Sequence, residues 1–173
     1  MFTHFPKTAA LLASLFLCFA ASAQAGEIQE IDALLKQGQA DEALQRIDAY
    51  LADKPKDAQG RFEKGLILTQ QGKADEAIRI FSDLTEDYPE LPEPYNNLAV
   101  LYAGKGQYKN ARDALEMSVR THPDYLTAHE NLGDVYVKLA SGAYERAAQL
   151  NPDDKNTQTK LKLLKELLSA PTE

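Results

Sequence analysis

The stretch YNNLAVLYAGKGQYKNARDALEMSVRTHP, residues 95–123, carries a glycine at 106, a small residue at Ala111 and a proline at its end. It decides the fold because its punctuation recurs. Gly38, Gly72 and Gly106 are spaced by 34 residues, as are Ala43, Ala77 and Ala111, and Pro55, Pro89 and Pro123. Three residue types keeping one period in fixed mutual phase mark an internal repeat. The tetrapeptide Ala-Asp-Glu-Ala also recurs, at 40–43 and 74–77.

Within a unit the apolar residues follow helical spacing. Ile28, Ile31, Leu34 and Leu35 precede Gly38, and Leu44, Ile47, Tyr50 and Leu51 follow it, three and four residues apart as one helix face requires. Each unit therefore predicts helix, glycine turn, helix, proline. Glycine suits the left-handed residue that closes the first helix, and proline stands where the second has already stopped. Neither helix can bury its stripe alone, so the units must stack.

With those residues in view, the chain resembles the tetratricopeptide repeat family, whose unit of this length is a helix-turn-helix. The best match is Tyr95, Leu98, Ala99, Tyr102, Gly106, Tyr108, Ala111, Leu115 and Pro123, followed by Phe62, Gly65, Leu68, Gly72, Ala77, Phe81, Leu84 and Pro89. Small residues let paired helices approach, and Phe81, Tyr102 and Leu115 fill the space between them. The expected fold is all-α: a short solenoid of helix-turn-helix units at about 26–57, 58–91, 92–125 and a shortened 126–153, closed by a capping helix and tail at 154–173. The first unit has Glu27, Glu30 and Ile31 where the family's aromatic and Leu-Gly pair belong, which fits a terminal repeat with one solvated side.

The fourth unit opens with His129, Leu132, Gly133 and Tyr136, but Pro152 follows Pro123 by only 29 residues. The missing residues are those of the turn. An apolar stripe through Leu132, Tyr136, Leu139, Ala143, Ala147 and Leu150 predicts one fused helix over about 127–150, with a tight turn at Gly142 as the alternative. A last amphipathic helix is expected over Lys155–Ser169, capped by Asp153 or Asp154 and ended by Pro171.

The 173 residues carry 19 Lys+Arg against 26 Asp+Glu, a formal net charge of −7. That balance argues against nucleic acid, since phosphate neutralisation needs a basic face. Residues 1–25 hold one basic residue after the start, Lys7, no acid, an apolar run from Thr8 to Ala20 and an Ala-x-Ala ending, the layout of a secretory signal peptide. Cleavage is expected near Ala25, or at Ala23, leaving a periplasmic chain with no stable membrane insertion. Phe16 and Leu17 before Cys18 do not suit a lipoprotein site. Removal of this segment takes the only cysteine with it and leaves a chain at −8.

The resemblance implies peptide or protein binding on the first helices of the units. The corresponding positions are Phe62, Leu66, Thr69 and Gln70, then Asn96, Asn97, Val100 and Ala103, then Glu130, Asn131, Asp134, Val137 and Lys138. Their amides can pair with a peptide backbone, their apolar members can seat side chains, and their acids can meet a basic group. One branch of the family clamps a terminal carboxylate with Lys, Asn and Arg. The matching positions here hold Ile28, Asp32, Glu93 and Asn97, and only the Asn agrees, so the clamp is not expected.

No cofactor, metal site or catalytic constellation is expected. His122 and His129, with Asp124 or Glu130 nearby in sequence, lack a fixed ligand frame, and no nucleophile stands with a base. The expected function is a non-enzymatic adaptor for a protein partner, with a basic segment matching the acidic chain. Self-association through the leucine-rich C-terminal helix is the alternative.

Overall fold

The computed structural model describes residues 26–169. The signal-peptide segment and the Pro171 tail lie outside them. Among the described residues the chain forms eight helices and no strand. They are α1 (residues 26–36), α2 (Ala40–Asp53), α3 (Ala58–Gln70), α4 (Ala74–Asp87), α5 (Pro92–Gly104), α6 (Tyr108–Thr121), α7 (Leu126–Leu150) and α8 (Lys155–Ser169). The chain divides into two compact units, Met1–Lys73 and Ala74–Glu173.

The glycine period has a direct backbone cause. Gly38, Gly72 and Gly106 have φ of 79°, 73° and 71°, a region costly for any residue with a Cβ. Each closes its helix in the same way. Gly106 N–H donates to the Ala103 carbonyl and Gln107 N–H to the Tyr102 carbonyl, both at 2.9 Å, and the same pair of bonds recurs at Gly38 and Gly72. This is the Schellman closure, which satisfies carbonyls the helix end would otherwise orphan. The polar ties repeat too. Gln71 donates to Asp41 at 2.8 Å, and Lys105, one period on, pairs with Asp75.

In the first unit α1, α2 and α3 share a core of Ile28, Ile31, Leu35, Ala43, Ile47, Tyr50 and Ile67. Ile31 is fully buried while Glu27 and Glu30 are exposed, so this terminal repeat keeps its core with branched aliphatics in place of the aromatic. The close approach of α2 and α3 occurs at Gly60, where a Cβ would come within 2.8 Å of the Tyr50 ring. Asp57 caps α3, accepting from Gly60 N–H at 2.6 Å.

In the second unit each helix from α4 to α8 packs on the next, and α5 also meets α7. Phe81, Leu84, Ala111, Leu115 and Ala128 are buried. Tyr95 O–H donates to the Thr85 carbonyl at 3.3 Å, joining α5 to α4. Ser118 O–H donates to the Pro92 carbonyl at 2.8 Å, joining α6 to α5.

The fourth unit is a single helix of 25 residues, α7. One period after Gly106 stands Ala140, which disfavours the left-handed closure, and the deficit before Pro152 leaves no residues for a turn. The expected stripe is corrected in part. Ala128, Val135 and Ser141 are the buried positions, whereas Ala143 is exposed and Tyr136 and Leu150 are 46% and 74% exposed. Tyr136 lies at the edge of the α6–α7 contact, its hydroxyl 3.0 Å from the Glu116 carboxylate. Helix α8 packs against α7 with Leu161 buried and Leu163 and Leu167 exposed. Its N-cap is Asp154, which accepts from Thr157 N–H at 3.1 Å.

Candidate functional site

The expected binding positions lie on α3 in the first unit, and on α5 and the start of α7 in the second. On α5 and α7 the sequence-derived residues converge. Val100, Ala103, Asn131 and Asp134 line one cleft of about 180 Å³, floored by Ala99, Leu115 and Val135. Val100 is 48% exposed, an apolar spot beside the Asp134 carboxylate. Asn131 bridges the helices, its side-chain N–H donating to Asn96 Oδ1 at 2.8 Å.

That bridge corrects one expectation. Asn96 does not face outward: it is 6% exposed, and its amide holds α5 to α7 instead of waiting for a peptide. Asn97 is half-buried, donating to the Glu93 carbonyl of its own helix at 2.9 Å. Glu130 is fully on the surface. Lys138 belongs elsewhere. With Tyr108 and Lys109 of α6, Gly142 of α7, and Lys165 and Leu168 of α8, it lines a separate pocket of about 620 Å³. The cause is distance along the helix: one turn past Asp134 on the same face, the neighbours of the fused helix are α6 and α8 in place of α5.

In the first unit, Phe62, Leu66 and Thr69 are half-buried on α3. Leu66 packs against the core of this unit, and Thr69 O–H donates to the Gly65 carbonyl at 2.8 Å, as helix-bound threonines commonly do. Both are thus partly committed to the fold. Sequence reasoning missed their neighbour Glu63. It is 7% exposed, and its Oε1 has no hydrogen-bond partner. Burial raises its carboxyl above the ordinary range, Asp32 raises it further, and Lys36 opposes both. A signal was available: Glu63, Asn97 and Asn131 are spaced by one period each, so Glu63 occupies the position already chosen in the next two units.

The histidines serve local structure. A ring nitrogen of His129 lies 2.8 Å from the Pro123 carbonyl, and His122 stacks edge-on with Tyr125 at 6.4 Å. Among the described residues no group of three or more His, Cys, Asp or Glu is placed to hold a metal ion, and no helix is long and apolar enough to cross a membrane.

Two tetratricopeptide repeat family models match the chain, at residues 28–92 and 68–132. The chloroplastic protein PYG7 of Arabidopsis thaliana, itself described as a tetratricopeptide repeat domain-containing protein, is 33% identical over 85 residues, 46% of this chain. The chain spans only 28% of that relative's length. YrrB, whose crystal structure is described as a tetratricopeptide repeat protein with an unusual peptide-binding site, superposes with a TM-score of 0.57 at 26% identity. That match covers 62% of this chain and 55% of YrrB. The thermophilic repeat protein TTC0263 of Thermus thermophilus gives a TM-score of 0.62 at 20% identity over 84% of this chain and 83% of its own, a likeness of fold. The all-α solenoid class is thereby shared with solved proteins. Since the two family models together take in residues 28–132, more than half the chain, this protein belongs to the tetratricopeptide repeat family.

Proposed function

We propose that the chain is a non-enzymatic adaptor, acting in the periplasm after loss of its leader, that holds an extended or helical segment of a protein partner in cell-envelope assembly or maintenance. The observation that carries the reading is the α5–α7 cleft, where exposed Val100, half-buried Asn131 and the Asp134 carboxylate meet around one depression. An apolar seat beside an amide and an acid suits a peptide with one apolar and one basic side chain. The excess of 26 acidic over 19 basic residues favours basic partners, with affinity falling as salt rises. YrrB's description as a repeat protein with an unusual peptide-binding site supports peptide binding by this chain.

The test is recovery of partners from envelope extract by the parent and by Asn97→Ala with Asp134→Lys. The double variant loses the partner that the parent retains. Equal recovery would sink the reading.

A second reading has its own observation: Leu163 and Leu167 of α8 are each 58% exposed, one turn apart, and suit self-association. Sedimentation decides it. If Leu163→Glu with Leu167→Glu sediments as the parent does, α8 joins no copies.

A further inference from the structure

Carboxylates in helices mostly face water, where they are solvated at no cost. Glu63 does not. It is 7% exposed on α3, and Oε1 is buried without a hydrogen-bond donor. Burying an acceptor unpaired is costly, and burying a charge unpaired more so. The base whose charge reaches it, Lys36, is paired with another acid, Asp32, at 2.6 Å.

Asp32 is the second acid of the cluster. It lies on α1, the first helix of the preceding repeat, and α1 joins α3 in one core. The Gln70 side chain ties the two helices, donating to the Leu35 carbonyl at 3.2 Å. Asp32 is close enough to oppose ionisation of Glu63 through space. Its partner Lys36 is held loosely, its side chain 74% exposed, and a surface pair of this kind contributes only about 0–1 kcal/mol.

We infer that Asp32 and Glu63 form a subsite on the α1–α3 face that takes the cationic side chain, arginine above all, of a bound partner segment. The entering cation displaces the Lys36 ammonium from Asp32 and supplies the donor that Glu63 Oε1 lacks. A guanidinium fits best, because its five N–H groups lie in one plane and can engage two carboxylates at once. Recognition of this kind is the reverse of terminal-carboxylate clamping: the protein supplies the acids and the partner the base. The inference rests on the adaptor reading above and gives that partner a specific chemistry. Glu63 is also in repeat register with Asn97 and Asn131.

The experiment selects a random dodecapeptide phage library on the folded chain, then measures the selected peptides by fluorescence anisotropy on the parent, Glu63→Gln and Asp32→Asn. Selected peptides share an arginine or lysine, and Glu63→Gln weakens them at least tenfold. Replacing that basic residue by norleucine weakens binding to the parent equally and to Glu63→Gln not at all, a coupling that loss of fold cannot mimic. Asp32→Asn acts in the same direction. If peptides are enriched but share no basic residue, or bind Glu63→Gln as tightly, the subsite is overturned while the adaptor reading stands. If no peptide is enriched, both fall.

Discussion

Two glycines give opposite signs to the same substitution, and the signs follow from the backbone. Gly106 has φ of 71° and a Cβ there would meet nothing within 4 Å, so the cost of Gly106→Ala is conformational alone. A residue with a Cβ pays roughly 1–2 kcal/mol in that region, and the two closure bonds to Ala103 and Tyr102 hold it there. Gly142 is also clear of neighbours, but it sits inside α7 with an ordinary helical backbone. Gly142→Ala should therefore stabilise by about 1 kcal/mol, the helix-interior difference between the two residues. Thermal unfolding followed by far-UV circular dichroism reads both. For a chain of this size the midpoint moves by roughly 2–4 °C per kcal/mol, upward for Gly142→Ala and downward for Gly106→Ala. A falling midpoint for Gly142→Ala would refute the reasoning. Residue 142 would then hold a left-handed turn, and the fourth repeat would be a hairpin.

Other consequences follow from single contacts. Because burial raises the Glu63 carboxyl, the native chain keeps that proton at pH values where the unfolded chain has released it. Stability is therefore lost as pH rises from the ordinary glutamate value through the folded one. Glu63→Gln, which carries no charge to bury, should be the more stable chain at neutral pH, with the advantage vanishing below the ordinary value; a pH-independent difference in urea unfolding would contradict this. Asp154 is shifted the other way, lowered by its hydrogen bonds to Thr157, so its hold on α8 is present above the ordinary aspartate value and lost as pH falls through the folded one. The protection factor of the Thr157 amide, its exchange rate relative to the unfolded chain at the same pH, should fall in Asp154→Ala at neutral pH and in the parent only at acid pH. Asn131→Ala leaves Asn96 Oδ1 buried without its donor and should cost about 1–3 kcal/mol, read as a lowered urea midpoint.

The repeat was legible because its punctuation is chemically forced: a left-handed closure admits little but glycine, so Gly38, Gly72 and Gly106 print the period into the sequence. The fused helix was legible for the same reason in reverse, from a deficit that removed the turn. What periodicity could not supply was the depth of each position. Asn96 and Asn97 are adjacent polar residues, yet only the first is sealed between α5 and α7, because tertiary approach and not residue type decides burial. Tyr136 and Leu150 fit a helical stripe, but Tyr136 sits at the edge of the α6–α7 contact with its hydroxyl on Glu116, and Leu150 ends α7 with most of its surface exposed. Glu63 was passed over because an acid on a helix ordinarily marks the wet face. Its burial depends on how closely α1 meets α3, set by Ile28, Ile31 and Ile67 in a core those helices share.

Whether the α5–α7 cleft holds a partner segment is decided by a photo-crosslinking amino acid placed in the living cell. It is introduced at Val100, exposed in the α5–α7 cleft, and separately at Arg120, exposed on the second helix of the same repeat. One discrete protein adduct is expected from position 100, lost when Asp134→Lys is added, and none from position 120. The same adduct from both positions, or an adduct at 100 indifferent to Asp134→Lys, would contradict it.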